Sequence, residues 1–138
     1  MTKKEQQARV VSMSIPAEMD EAIRAAASEM GYRSRSELVR DAVRALLREK
    51  AALDERRGVV EGVITLLYEH DAAGQVSAVR HQHMDIFRSF MHSDFDAAAC
   101  SCCEVLMFSG DIQDVGTAYY QLKALKGVDE AHIYVAAP

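Results

Sequence analysis

The stretch Gly31-Tyr-Arg-Ser-Arg-Ser-Glu-Leu-Val-Arg-Asp-Ala42 decides the fold of the first part of the chain. Ser34 and Glu37 have the spacing of a capping box, in which the serine hydroxyl accepts a backbone N–H and the glutamate reaches back to the helix start. Gly31 stands where a preceding helix would end. We therefore expect two helices joined by a short turn, the first over 16–30 and the second from Ser34 towards Arg57.

The residues before the first helix have the pattern of a β-strand. Val11, Met13 and Ile15 alternate with Val10, Ser12 and Ser14, which is the period of a half-buried strand. One short strand and two helices bury too little surface to be stable alone. The simplest partner is the same strand of a second copy, so residues 1–57 are predicted to form a ribbon–helix–helix (βαα) domain that dimerises.

A two-stranded ribbon of this kind enters the major groove of DNA. Val10, Ser12 and Ser14 would then face the bases, with Arg35 at the start of the second helix as a further DNA-binding residue. None of the three ribbon side chains can form a bidentate pair with a base, so modest sequence selectivity is expected. The alternative is a strand-swapped dimerisation module that does not bind DNA.

Charge is distributed unevenly along the 138 residues, whose net charge is −5. Residues 1–57 contain 12 Lys/Arg and 10 Asp/Glu, whereas residues 58–138 contain 4 Lys/Arg and 11 Asp/Glu. The sequence shows no apolar run long enough to span a bilayer and no secretion signal, so a cytoplasmic protein without a membrane role is expected. Clustered cysteines there are better explained as thiols or metal ligands than as disulfides.

Residues 58–138 are predicted to form a second domain of βαββαβ order. The expected strands cover 58–68, 86–95, 102–108 and 132–135, and the expected helices cover 75–84 and 112–126. Two helices would cover one face of a four-stranded antiparallel sheet, so the fold class is α+β and ferredoxin-like. The other sheet face would be bare, which predicts that a second subunit packs there.

The second domain contains the chemistry-bearing residues. His92 and Asp94 are two apart on a predicted strand, so both point to one face, and Cys102 lies on the next strand. His81 on the preceding helix could reach the same ion or that of a neighbouring subunit. Imidazole, carboxylate and thiolate are ligands of zinc, cobalt and nickel, so the four residues predict a metal site. His83, Cys100 and Cys103 are possible substitutes, and His70 and His132 are assigned to no site.

From about Arg9 to Val135 the chain resembles the nickel-responsive regulator (NikR-like) family. The resemblance rests on the Gly31–Ala42 segment and on three further pieces: Leu67-Tyr-Glu-His70, His81-x-His83-x-Asp85 and Gly110-Asp-Ile-Gln-Asp-Val115. It implies an ACT-like second domain, a homotetramer built as a dimer of dimers, and nickel as the metal. It also implies that His81 of one subunit joins His92 and Cys102 of its neighbour.

Two departures from the family pattern concern the metal ligands. Asp94 stands where the family has the second histidine of a His-x-His pair, and a carboxylate suits cobalt or zinc better than square-planar nickel. The loop before Cys102 is about two residues longer than in the family, so Cys100 or Cys103 could be the ligand instead. The resemblance also implies a second, weaker cation near Glu37 and Asp41.

The sequence therefore predicts a transcriptional regulator that binds operator DNA with an affinity set by a metal at a subunit interface. A ribbon–helix–helix repressor whose ACT-like domain senses a small organic effector is the alternative. An enzyme is not expected, because no nucleophile elbow accompanies Cys102 and His92.

Overall fold

A computed structural model describes residues 9–96 and 101–136 of the chain. The fold divides into two compact units, of which the first ends at Arg48 and the second begins at Glu49. The sequence places the domain boundary nine residues later, at 57/58. Within the described part of the chain, no helix is both long and apolar enough to cross a lipid bilayer.

The first unit contains helix α1 (Ala17–Glu29) and most of helix α2 (Arg35–Asp54). The Ser34 hydroxyl accepts the Glu37 backbone N–H at 3.2 Å, as the capping box predicts. The second contact of a capping box would join Glu37 to the Ser34 N–H. Here Glu37 Oε2 accepts the N–H of the preceding residue, Arg33, at 3.0 Å. Gly31 has a φ of +77°, a conformation that glycine adopts without strain and that ends α1 here.

Residues 9–16 form no regular secondary structure in the single chain. The side chains of Val10, Val11 and Met13 are largely exposed, although Val11 and Met13 are predicted to face a core. A lone strand has no partner for its backbone hydrogen bonds within the unit, so the two-stranded ribbon needs a second copy. The paired strand therefore stays a prediction.

The second unit has the predicted βαββαβ order. Its elements are β1 (Val59–Glu69), a short 3₁₀ turn (His70–Ala72), α3 (Ala73–Gln82), β2 (Phe87–Asp96), β3 (Ser101–Asp111), α4 (Ile112–Lys123) and β4 (Val128–Val135). The strands form one antiparallel sheet in the order β2-β3-β1-β4. β3 and β4 begin or end several residues beyond the predicted bounds, because pairing to β1 extends both strands past their apolar cores.

The core lies between one face of the sheet and helices α3 and α4. Alternate residues of β1 and β3 are buried there, among them Ile64, Leu66 and Leu106. The last turns of α2 join this core through Leu53, which is buried, and through Glu49, which accepts the Tyr119 hydroxyl at 2.8 Å. These contacts explain why the second unit begins within α2 and not after it.

The other face of the sheet carries no covering element among the described residues. Its centre is apolar: Met91, Met107 and Tyr134 each expose more than half of their surface, and Val63 and Val105 are partly exposed. An exposed apolar patch rimmed by polar residues usually marks an interface. We call this patch the open face.

Gly62 and Gly116 offer a matched test of the sheet's packing. A Cβ at Gly62 would collide with the Tyr134 carbonyl oxygen and lie 2.7 Å from the Phe108 ring, whereas a Cβ at Gly116 in α4 would meet nothing within 4 Å. Gly62→Ala should therefore lower the free energy of unfolding by about 1–3 kcal/mol, and Gly116→Ala should raise it by up to about 1 kcal/mol. Urea unfolding of both variants measures this, and equal effects would contradict the close approach of β4 to β1.

Candidate metal centre

Strand register places three of the four predicted ligands, His92, Asp94 and Cys102, on the helix-covered face of the sheet. His92 on β2 lies opposite Glu104 on β3, and Asp94 lies opposite Cys102. Tyr68 on β1 lies opposite Cys102 on its other side. Because residues two apart on a strand share a face, these five side chains converge at one end of the sheet.

Three of the donor atoms in this region lie within 4.8 Å of one another, and they belong to His70, Asp94 and Cys102. Cys102 Sγ is 3.5 Å from His70 Nδ1 and 3.5 Å from Asp94 Oδ1. Cys102 is 1% exposed, whereas the other two residues are exposed. A nitrogen, an oxygen and a sulfur donor at this spacing match the donor types that bind zinc, cobalt and nickel.

His92 adjoins this trio through Asp94. Its Nε2 is 3.2 Å from Asp94 Oδ1, and its Nδ1 faces the Tyr68 hydroxyl at 3.2 Å and Glu104 Oε2 at 3.4 Å. The Tyr68 hydroxyl donates to Glu104, so a proton on Nδ1 is the arrangement that the carboxylate favours. Nε2 donates to Asp94 Oδ1 when it is protonated, and a metal ion in place of that proton would be bound by both Nε2 and the Asp94 carboxylate.

The pKa of the Asp94 carboxyl is lowered, first by its hydrogen bond to His92 and then by that to Cys102. Asp94 is therefore ionised over the neutral range and available as an anionic ligand. Its exposure sets it apart from Glu104, which is 2% exposed and lies deeper in the same end of the sheet.

The buried Glu104 carboxylate has an ion-pair partner on one oxygen and a hydrogen-bond donor on the other. The Arg80 guanidinium contacts Oε1 at 2.5 Å, and the Tyr68 hydroxyl donates to Oε2 at 2.9 Å. Burial and then the Glu104 hydrogen bond raise the pKa of the Tyr68 hydroxyl, so it stays a donor. This chain of contacts runs from α3 through β3 and β1 to the ring of His92.

His81 does not join the cluster within the single chain. It is exposed on the last turn of α3, and its Nδ1 contacts the Ser77 carbonyl oxygen at 2.7 Å. A carbonyl only accepts, so Nδ1 carries the proton and Nε2 holds the lone pair that a metal would need. The ring is therefore oriented as a ligand would be, facing away from its own backbone.

The possible substitute ligands lie elsewhere. His83 Nε2 contacts Gln121 Oε1 at 2.7 Å, beside α4. Cys103 lies on the open face, opposite to Cys102, as the strand alternation predicts. Cys100 lies outside the described residues.

His70 is the residue that the sequence interpretation left out. A single histidine after a strand is usually a surface residue, so its position in the sequence alone assigns it to no site. A signal was present, because His70 follows Tyr68 by two positions and so continues the buried face of β1 into the 3₁₀ turn. Only the pairing of β1 with β3 places that turn beside Cys102.

The N-terminal candidates engage partners of their own. Arg35 forms an ion pair with Asp20, whose pKa is lowered by hydrogen bonds to arginine, first Arg24 and then Arg35. The Asp41 carboxylate accepts the Tyr32 hydroxyl at 2.8 Å and contacts Arg44 at 3.2 Å, and the Tyr32 contact is the main cause of its lowered pKa. Val10, Ser12 and Ser14 are exposed.

Both parts of the chain match known families. Residues 61–136 match the family described as the NikR C-terminal nickel binding domain, and residues 9–50 match the ribbon-helix-helix protein, copG family. A protein of Methanocella arvoryzae, provisionally named a nickel-responsive regulator, is 34% identical over 111 residues, which cover 78% of each chain. A protein of Methanococcoides burtonii with the same provisional name is 30% identical over 137 residues, 97% of this chain and 96% of its own.

A solved structure supports the fold of part of the chain. An uncharacterized protein from Thermotoga maritima superposes with a TM-score of 0.54, covering 58% of this chain and 100% of its own, at 15% sequence identity. At that identity the likeness concerns the fold alone.

Cys102 and Cys103 provide a matched pair for testing the metal centre. Adding Co(II) or Ni(II) to the protein should produce a thiolate-to-metal charge-transfer absorption band, because Cys102 lies among the other donors. Cys102→Ser should abolish the band, since a serine hydroxyl is not a thiolate. Cys103→Ser should retain the band. Loss of the band in the Cys103 variant alone would contradict this centre, because it would show that the thiolate ligand lies on the open face.

Proposed function

Because the chain belongs to the NikR family of metal-responsive, DNA-binding transcriptional regulators and is not an enzyme, we propose that its second domain senses nickel. The proposed ligands are His92, Asp94 and Cys102 from one copy and His81 from a neighbouring copy. The observation that carries the proposal is the convergence of nitrogen, oxygen and sulfur donors from His70, Asp94 and Cys102 at one end of the sheet, with His92 Nε2 3.2 Å from Asp94. His70 is a further ligand or a partner that orients Cys102.

The donor set fits a transition-metal ion on chemical grounds. A buried cysteine beside an ionised carboxylate and two imidazoles would be an unfavourable arrangement for the thiolate without a cation. Asp94 in place of a second imidazole supplies oxygen, which zinc and cobalt accept more readily than square-planar nickel does. We therefore propose nickel, the metal of the family, and we propose cobalt and zinc as ions that this donor set would also bind.

His81 is placed to bind the metal in the site of a neighbouring copy. Its Nδ1 is held by the Ser77 carbonyl, and its ring lies on the exposed side of α3, at a cavity of about 550 Å³ bounded by α3 and β2. Within its own chain it lies outside the group of converging donors. A bound metal would supply a cross-link between two copies, each contributing part of the ligand set.

The open face supports assembly into a homotetramer. Its apolar centre, with Met91 and Met107 more than half exposed, is what a face buried against an identical face would require. The first domain adds a second contact, since the strand of residues 9–15 needs a partner strand. Two different self-contacts per chain generate a dimer of dimers, with a pair of DNA-binding ribbons at its ends.

Operator DNA is the proposed partner of the ribbons. Val10, Ser12 and Ser14 would face the bases, and Arg35 would contact phosphate. Asp20, which pairs with Arg35 in the described chain, holds that guanidinium at the start of α2. Engaging two half-sites at once raises the affinity without new base contacts, so a metal-dependent spacing of the ribbons would control binding. Such a regulator acts on DNA, and we propose a cytoplasmic location.

A second, weaker cation site at Glu37 and Asp41 is proposed from the family resemblance. Asp41 is ionised, with a lowered pKa, and its carboxylate already binds Tyr32 and Arg44. A cation there would have to share or displace the Arg44 contact.

Metal should tighten operator binding by about 100-fold, which is the gain expected when a second engagement becomes intramolecular. A gel-shift titration with Ni(II), Co(II) or Zn(II), each against a chelator, measures the effect. The response should be lost in His92→Ala and retained in His83→Ala, because the His83 ring contacts Gln121 of α4 and lies outside the group of converging donors. Equal affinity with and without metal would favour control by a small organic effector instead.

Placing a charge on the open face should prevent the tetramer. Met107→Glu puts a carboxylate at the apolar centre, where burial against a second copy would leave it unpaired. Sedimentation at micromolar concentration should show a dimer in place of a tetramer. Lys126→Glu also makes the chain more negative but lies on the exposed turn between α4 and β4, so it serves as a control outside the sheet. A tetrameric Met107 variant would exclude this face as the interface.

A further inference from the structure

Arg80 lies between the two parts of the proposed metal site. It precedes His81 on α3, and its guanidinium reaches Glu104 Oε1 at 2.5 Å. Glu104 lies directly opposite His92 across β3 and β2. One side chain therefore links the helix that presents His81 to the strands that carry His92, Asp94 and Cys102.

The position of the Arg80 guanidinium is determined by three contacts. Besides Glu104, it lies over the Phe90 ring of β2, 3.9 Å from the ring centre, and it contacts the Ser77 hydroxyl at 3.4 Å. Ser77 is also the residue whose carbonyl orients the His81 ring. A planar guanidinium can satisfy a carboxylate, a ring face and a hydroxyl together, which a lysine ammonium could not.

From Glu104 the contacts continue to the ligands without a gap. Glu104 Oε2 accepts the Tyr68 hydroxyl and lies 3.4 Å from His92 Nδ1, the ring nitrogen that turns Nε2 towards Asp94. A carboxylate at Nδ1 fixes the ring orientation and raises the basicity of Nε2, as carboxylate partners do at histidine-ligated metals. Arg80 thus controls, through Glu104, the group that aims His92.

We propose that Arg80 is a positioning residue for the metal centre, setting His81 and His92 in their binding orientations through the Ser77 and Glu104 contacts. The inference rests on the proposed function, because it concerns the same site. It assigns Arg80 no direct contact with metal. Loss of the guanidinium would release the turn of α3 that carries His81 and the carboxylate that orients His92, so both parts of the ligand set would lose their fixed geometry.

Arg80→Met tests the inference by Co(II) titration of the full-length protein, with the thiolate charge-transfer band as the readout. Partners of metal-ligating histidines typically contribute about 10–100-fold to metal affinity, so a loss of about 10-fold or more is expected. Arg88→Met is the matched control, because Arg88 is a neighbouring cation on β2 that lines the same cavity and contacts Ser109 instead of Glu104. Its Co(II) affinity should match that of the wild type.

A double variant separates positioning from stability. Arg80→Met alone leaves the buried Glu104 carboxylate without its cation, which should lower the melting temperature. Arg80→Met with Glu104→Gln removes both charges and should restore most of the thermal stability. Co(II) affinity should stay about 10-fold below that of the wild type in the double variant, since neither the guanidinium nor the carboxylate is present.

Each outcome has a separate meaning. Wild-type protein that shows no thiolate band with Co(II) would overturn the proposed metal site itself. Wild-type protein that binds Co(II) while Arg80→Met binds equally well would overturn only the positioning role. Full recovery of affinity in the double variant would also overturn it, because the single variant's loss would then come from the unpaired carboxylate alone.

Discussion

A carboxylate buried inside a protein must be neutralised, and that constraint organises this end of the molecule. Glu104 is 2% exposed in the middle of β3, and burying its charge unpaired would cost several kcal/mol. Arg80 supplies the cation and Tyr68 supplies a hydrogen bond. Because those partners come from α3 and β1, satisfying one charge fixes a helix and two strands relative to each other. Cys102 lies on β3 with Glu104, and His92 lies opposite Glu104 on β2, so the positions of these candidate ligands depend on the same contacts.

Both compact units are incomplete as single chains, and their incompleteness has the same physical origin. In the first unit residues 9–15 are in no strand, and in the second an apolar sheet face is covered by nothing among the described residues. A second, identical chain would carry a surface that could meet each requirement. With the proposed metal site divided between two copies, metal binding and assembly would depend on each other.

Several features could be predicted because they depend on local chemistry or on strand alternation. The Ser34 cap depends on residues within one turn, and the shared face of His92 and Asp94 follows from the two-residue period of a strand. The opposite faces of Cys102 and Cys103 follow from the same period. His70 could not be assigned in this way, because it lies beyond the end of β1 and reaches Cys102 only through the pairing of β1 with β3. The role of Glu104 cannot be predicted from the sequence for a related reason, since burial of a carboxylate is a property of the folded sheet.

The sequence by itself determined the order of the elements, the two-domain plan and the types of donor available, because periodicity, caps and residue chemistry are properties of short segments. Only the tertiary structure decided which donors meet. The register of β2 against β3 sets Asp94 opposite Cys102, and the packing of α3 sets Arg80 against Glu104. Register and helix packing depend on contacts between residues far apart in the chain, and a shift of one residue would turn His92 and Asp94 to the opposite face of the sheet.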